Sequence, residues 1–416
     1  MFPSTDRNDL AQLLAGLERY SRLNSTSVGG HVARNPALSG LASGAFELLL
    51  AKVLFRMLER LETLSAPPPN SPATFSALNS AGTGPTPTPG TSTVAAQQAY
   101  GLSPVAVSPI TAPTPATLSG VLPIGSFPKP PGDNGRGIHW IPTTSQSPET
   151  VDRFVRAAKE MRIKWVTFLN DHASIGANDY LVQQLKANGM EPVMRVYTSG
   201  LEPVNGDLGA MVRHYKALGV NYFQLYNEPN HVVENGGRFP DVNRYLDLWI
   251  PAAKAVLENG GLPGFGALGP GGEYNDVDFL NQSLDGLRAR GEIGLLDRAW
   301  LAIHNYMGDA PLEDTRAFSR FKVYAEVLQR QLGRLLPMIG TEGGTFPHHA
   351  DDEPRRIAAV TSAYRYMANR EPYNFAYSYW VIANSAGGGH DPAWEWQALF
   401  RPDGASPLVE ALRNLD

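Results

Sequence analysis

Glu228, in Gln224-Leu225-Tyr226-Asn227-Glu228-Pro229-Asn230, and Glu342, in Met338-Ile339-Gly340-Thr341-Glu342-Gly343-Gly344, each stand where an apolar, strand-like run breaks into a turn. A carboxyl group there can give or take a proton, and an ionised one can attack an electrophilic carbon. Two of them facing across one pocket suit acetal cleavage, in which one protonates the departing oxygen while the other closes on the carbon. Residues so far apart in sequence meet only if separate elements bring them together. A barrel of parallel strands does this, because it presents the C-terminal ends of all its strands at one mouth.

The elements needed are legible over residues 132–416, where strand-like runs alternate with amphipathic helical patterns. Eight strands are expected, over 137–141, 163–169, 192–197, 222–226, 265–269, 300–305, 337–340 and 375–381. Helices are expected over 148–161, 179–187, 207–218, 242–257, 277–288, 317–335 and 353–368. Ser147-Pro148-Glu149 places a capping residue before a proline at the first helical position, and Asn178-Asp179 is read the same way. Asn188-Gly189 and Leu218-Gly219 supply glycines that end a helix in left-handed geometry. The segment of about 285 residues has the size of an α/β (β/α)8 TIM barrel. Glu228 then follows the fourth strand and Glu342 the seventh. A doubly wound open sheet would need a Gly-rich phosphate loop after its first strand, and Ile138-His139-Trp140-Ile141-Pro142 is none.

Ahead of the barrel, residues 1–65 carry two helical patterns, Leu10-Leu13-Leu14-Leu17 and Phe46-Leu49-Leu50-Val53-Leu54-Met57-Leu58-Leu61. They read as a small helical hairpin, as a segment docked on the barrel, or as a surface element that targets an unknown protein partner. Residues 66–131 turn to Pro, Thr, Ser, Ala and Gly, as in Gly84-Pro85-Thr86-Pro87-Thr88-Pro89-Gly90, and read as a disordered, semi-extended linker. The run 46–57 includes Lys52 and Arg56 and is far short of the roughly 20 apolar residues of a membrane span. No basic region followed by an apolar core marks a signal peptide at the N-terminus. Pro/Thr spacers often separate modules that work outside the cell, so an extracellular or cell-surface location by another route and a cytoplasmic one both stay open.

Lys and Arg together number 35 against 40 Asp and Glu, a net charge of -5, so no basic field exists to gather phosphates and nucleic acid is not an expected partner. A neutral carbohydrate fits better. The absence of Cys closes thiolate metal sites and cysteine nucleophiles together.

Asn227-Glu228-Pro229 after a fourth strand and a Thr341-Glu342-Gly343 turn after a seventh resemble the signature of clan A retaining glycoside hydrolases, families 39 and 5 above all. Gly269-Pro270-Gly271 after strand five and Ile303-His304-Asn305-Tyr306 after strand six add to the resemblance, which covers the barrel only. It implies that Glu228 is the acid/base and Glu342 the nucleophile of a double displacement on a β-linked sugar, with no cofactor. It further implies that Asn227 bonds the substrate 2-hydroxyl, that Tyr306 donates to Glu342, that His304 lines the same pocket and that Trp380 lies under the sugar. Clan members commonly set an arginine beside the nucleophile from an early strand, and Arg195 on the third is the candidate. His139, Trp140, Asn170 and Tyr197 sit at expected C-terminal strand ends, where they can line the cleft without a motif assigning them roles.

His348-His349-Ala350-Asp351-Asp352-Glu353 has the residue types of a metal cluster, but it leads straight into a helix, where acids complement the dipole and Asp can cap. No metal is expected. Trp394 and Trp396, around Glu395, read as subsite residues or as packing on the barrel rim. The competing function is a catalytically silent carbohydrate-binding barrel that docks a partner through its N-terminal segment.

Overall fold

A computed structural model of the chain describes residues 120–347, 349–384 and 394–416. The helical segment expected over 1–65, and residues 66–119 of the expected linker, lie outside these.

Eight strands close into a parallel barrel: β1 (Arg136–His139), β2 (Trp165–Asp171), β3 (Glu191–Tyr197), β4 (Tyr222–Leu225), β5 (Leu262–Leu268), β6 (Trp300–Tyr306), β7 (Met338–Gly344) and β8 (Asn374–Tyr379). Each pairs with the next, and β8 returns to β1 with Ser378 opposite Gly137. Between them run α1 (Pro148–Glu160), α2 (Asp179–Ala187), α3 (Leu208–Leu218), α4 (Val242–Glu258), α5 (Asp276–Ala289), α6 (Arg320–Leu332) and α7 (Glu353–Ala368). A small hairpin of β9 (Phe400–Arg401) and β10 (Gly404–Ala405) and a last helix, α8 (Pro407–Arg413), complete the chain. The fold is the expected (β/α)8 barrel. Among the described residues no helix is long and apolar enough to cross a membrane.

Side chains alternate along each strand, so one set faces the barrel axis and the other the helices. The outward set, including Ile138, Val166, Phe168, Met194 and Val196, joins Phe154, Leu181, Met211 and Leu280 in the main core. The inward set fills the N-terminal end of the barrel with Trp165, Val193, Tyr222, Leu262, Trp300, Ile339 and Phe375. Phe127 closes this layer, meeting Phe375 edge-on with ring centroids 6.3 Å apart. Residues 120–131, read from composition as the end of the linker, are therefore packed against the barrel. The backbone N–H of Leu122 donates to Asp297 at 2.8 Å, and the Tyr222 hydroxyl donates to the Pro128 carbonyl at 2.5 Å. Proline-rich composition hid one buried aromatic that this layer needs for cover.

Local chemistry sets the element ends. Ser147 Oγ accepts the Thr150 N–H at the start of α1, and Gly219, at φ 104°, ends α3. Asn178 does not cap α2. Its amide instead donates to Asn170 Oδ1 at 2.9 Å and to the carbonyls of Thr144 and Leu169, tying the loops after β1 and β2. Helix α6 is shorter than its apolar pattern suggests, because Gly333 adopts left-handed geometry and stops it. Strand β7 is longer than expected and runs through Glu342 to Gly344. Gly343 and Gly344 pair in register with Asn305 and Tyr306 of β6, and the rings of Tyr377 and Tyr379 occupy the space that Cβ atoms there would need.

Candidate active site

The inward face of β6 reads Trp300, Ala302, His304, Tyr306, running from the apolar layer to the mouth of the barrel at the strand's C-terminal end. His304 is paired in register with Glu342 on β7, so Glu342 belongs to the strand rather than to a turn beyond it. Opposite, β3 carries Val193, Arg195 and Tyr197 on one face, with Val193 in the apolar layer below. Three strands thus aim polar side chains at one point. Arg195 Nη1 donates to Glu342 Oε1 at 3.0 Å, and the Tyr306 hydroxyl donates to Glu342 Oε2 at 2.9 Å. All three side chains are largely buried.

Glu228 reaches the same point from the turn after β4. Tyr226 (φ 65°) and Glu228 (φ 35°) both hold left-handed backbone that side chains of this size rarely adopt. Strain of this kind is retained where the surroundings over-determine it. Here Tyr226 is anchored outward against Tyr245 of α4, and Asn230 locks the turn to the loop after β5. The Asn230 amide donates to the carbonyls of Gly269 and Tyr274, and its oxygen accepts the Gly269 N–H. Gly269 leaves the room Glu228 needs: a Cβ there would lie 2.8 Å from Glu228 Oε1 and 2.5 Å from His231 Nε2.

The imidazole of His304 lies between the two carboxyl groups, with Nδ1 2.8 Å from Glu228 Oε1 and Nε2 3.6 Å from Glu342 Oε1. One ring spans the gap between them. Burial, and then the charges of Glu342 and Glu228, push the Tyr306 phenol well above its ordinary range, so it stays a donor. Burial pulls His139 down to about 4 against a partial pull upward from Glu342, so its ring is neutral at neutral pH. With Nδ1 2.8 Å from the Trp140 carbonyl, the proton sits on Nδ1 and Nε2 is left as an acceptor.

Trp380, just past β8, packs its ring against His139 at 4.3 Å and meets Trp394 edge-on at 5.1 Å. Asn227 donates through Nδ2 to the buried Glu234 at 2.9 Å. Among the buried polar atoms at this end of the barrel that have no hydrogen-bond partner among the described residues are His139 Nε2, Asn227 Oδ1 and Trp380 Nε1. They are two acceptors and a donor, a set that suits hydroxyl groups.

The structure therefore brings Glu228, Glu342, His304, Tyr306, Arg195, His139, Trp380 and Asn227 to one end of the barrel. Tyr197 shares the strand face of Arg195 at the rim. Two expected residues point elsewhere. Trp140, next along the strand from His139, faces the helices and packs edge-on against Phe154 of α1. Asn170 turns into its own loop and donates to the carbonyls of His172 and Ser174. Sequence reading gave no role to Asn230 and passed over Glu234. Both lie in the irregular segment between β4 and α4, where no periodicity marks them. His348 lies outside the described residues. His349 and Asp352 form a turn in which the His349 N–H donates to the Asp352 carboxylate at 3.3 Å. Among the described residues no cluster of three His, Asp or Glu could hold a metal. Trp394 packs on Trp380, and Trp396 carries the Arg401 guanidinium 4.6 Å over its ring.

No protein-family model and no curated protein matches the chain. Solved structures of clan A glycoside hydrolases are similar to it at low sequence identity. A monomeric β-xylosidase from Caulobacter crescentus CB15 is 16% identical with a TM-score of 0.48, over 68% of this chain and 69% of that one. A family 39 glycoside hydrolase from Bacteroides cellulosilyticus WH2 is 16% identical with a TM-score of 0.48, over 69% of this chain and 63% of that one. An endo-β-1,3-glucanase from Pseudomonas viridiflava is 16% identical with a TM-score of 0.47, over 68% of this chain and 98% of that one.

Proposed function

We propose that the chain is a retaining glycoside hydrolase that cleaves β-linked sugars, with Glu228 as acid/base and Glu342 as nucleophile. The observation that carries this reading is the single imidazole of His304 between two carboxyl groups that arrive from opposed strand ends. Their surroundings differ as their roles require. Glu342 takes charge-assisted hydrogen bonds from a guanidinium and a phenol, a donor set that favours a carboxylate. Glu228 sits in a strained turn beside the ring of His304.

In the first step Glu228 gives its proton to the glycosidic oxygen as that bond breaks, and Glu342 bonds to the anomeric carbon. In the second, Glu228 takes a proton from water, whose oxygen displaces Glu342 and restores the configuration. Asn227, held by Glu234, offers its free oxygen to the 2-hydroxyl, and Trp380 supplies a flat apolar face under the ring.

Glu228→Ala and Glu342→Ala are each expected to lower hydrolysis of β-glycosides by about a hundredfold to ten-thousandfold while the unfolding transition is kept. Azide added to Glu342→Ala should yield a glycosyl azide of inverted configuration, and added to Glu228→Ala one of retained configuration, both read by NMR. Turnover like that of the unaltered protein in either variant refutes the assignment. Binding of β-glycans with no hydrolysis by the unaltered chain would instead point to a silent carbohydrate-binding barrel.

A further inference from the structure

Phe239 is the most exposed large apolar side chain among the described residues, at 65%. It lies in the segment after β4 and stacks on Tyr274, from the segment after β5, with ring centroids 5.6 Å apart and planes inclined by 27°. Tyr274 is itself fixed: it meets Phe279 of α5 edge-on at 5.4 Å, and its backbone exchanges hydrogen bonds with Asn230 in both directions. Glu273 accepts the Val232 N–H at 2.8 Å, a further tie between the two segments. The pair is a rigid aromatic surface rather than a loose side chain.

Its place relative to the carboxyl groups gives it a direction. The turn of Gly269 and Gly272 lies against Glu228, His231 and Asn230, and Tyr274 is two residues further along. The aromatic pair therefore continues the wall beside the acid/base. Trp380 and His139 belong to β8 and β1, on the far side of the closed barrel from β4 and β5. A sugar over Trp380 has its glycosidic oxygen toward Glu228, so the departing group extends over the loops after β4 and β5.

We propose that Phe239 and Tyr274 form a carbohydrate platform on the leaving-group side, on which a pyranose ring of the departing chain stacks, so that the substrate is an oligosaccharide or polysaccharide and not a simple glycoside. This rests on the catalytic assignment above. An apolar aromatic surface continuous with a cleft that presents unpartnered hydroxyl acceptors matches the apolar face of a sugar ring. Arg238 beside it is exposed and can reach hydroxyl groups.

The test uses the full chain with Phe239→Ala and Phe239→Trp. Substrates are β-1,3- and β-1,4-linked gluco-, xylo- and manno-oligosaccharides of tetra- to hexasaccharide length, with the matching β-glycosyl fluoride, whose leaving group has no ring. Phe239→Ala should lower kcat/KM on the preferred hexasaccharide by roughly three- to tenfold. It should leave the fluoride within about twofold, and Phe239→Trp should restore the hexasaccharide rate. Equal losses on both substrates, or none on either, overturn the platform, and so does unchanged oligosaccharide cleavage with a shift in self-association, which would make Phe239 a protein contact. Hexasaccharide binding to Glu228→Gln with and without Phe239→Ala, measured by calorimetry, reads the platform even if the unaltered chain hydrolyses nothing.

Discussion

Asn227 stands next to Glu228 in the chain, and its orientation is set by one bond: Nδ2 donates to Glu234, which leaves Oδ1 free. A carboxylate can only accept, so Glu234 fixes which end of the amide faces it. Replacing Glu234 by Ala lets the amide turn and adds the cost of an unpaired buried N–H. If Oδ1 accepts a hydrogen bond from the sugar's 2-hydroxyl, Glu234→Ala should lower kcat/KM on ordinary β-glycosides about tenfold. On the corresponding 2-deoxyglycosides, which lack the hydroxyl, it should change little. A loss of the same size on both substrates would mean that Glu234 supports the fold of the turn and not the amide. Residue type was a good guide to such roles where a strand fixes direction. Arg195 is a candidate partner of Glu342 in the sequence only through the resemblance to clan A enzymes, and its place on the strand face of Val193 is what brings its guanidinium to Glu342. By the period-two rule of a strand only one of the neighbours His139 and Trp140 can face the cleft, and His139 takes that position while Trp140 packs outward on Phe154.

At the level of elements, the strands were legible because parallel strands buried on both faces read as short apolar runs between helices. Their ends were less so, as β7 shows. Its Glu-Gly-Gly looks like a turn, yet all three residues pair in register with β6, and the rings of Tyr377 and Tyr379 fill the space beside the glycines, contacts no local pattern announces. The glycines of the barrel also differ in kind. At Gly137 a Cβ would lie 2.5 Å from Ser378 Oγ and 3.1 Å from the Tyr377 carbonyl oxygen, so backbone pairing between β1 and β8 is at stake. At Gly269 the atoms met belong to the movable ends of Glu228 and His231. Gly269→Ala should therefore leave the urea midpoint nearly unchanged while displacing the Glu228 carboxyl group. Misplacement by an ångström can cost on the order of a hundredfold, so kcat should fall about tenfold to a hundredfold. A stability loss above about 2 kcal/mol with full activity per folded molecule would show that the glycine serves the fold instead.

For the whole molecule, the barrel stacks a sealed apolar layer beneath a polar mouth, and the site's charged groups are buried because that layer excludes water from below. His139 pays for this position. Its ring has an ordinary value of 6.5 and is held at about 4, chiefly by burial. Above about pH 6.5 the ring is neutral in both the folded and the unfolded chain. As the pH falls toward 4 the unfolded chain takes up a proton that the folded one refuses, so stability drops across that window, by about 3 kcal/mol from this residue. His139→Gln keeps a polar side chain of similar reach and cannot titrate. Urea unfolding of the two proteins at pH 7 and pH 4.5 separates this contribution from that of the other ionisable groups, which both share. The unaltered chain should lose about 2 kcal/mol more than His139→Gln between those two pH values, because most, though not all, of the ring's window lies above pH 4.5. Parallel losses in the two proteins would mean that the ring is protonated in the folded state. A cationic His139 would in turn be unable to accept a hydroxyl at Nε2, and the sugar contact assigned to it would fall with the pH effect.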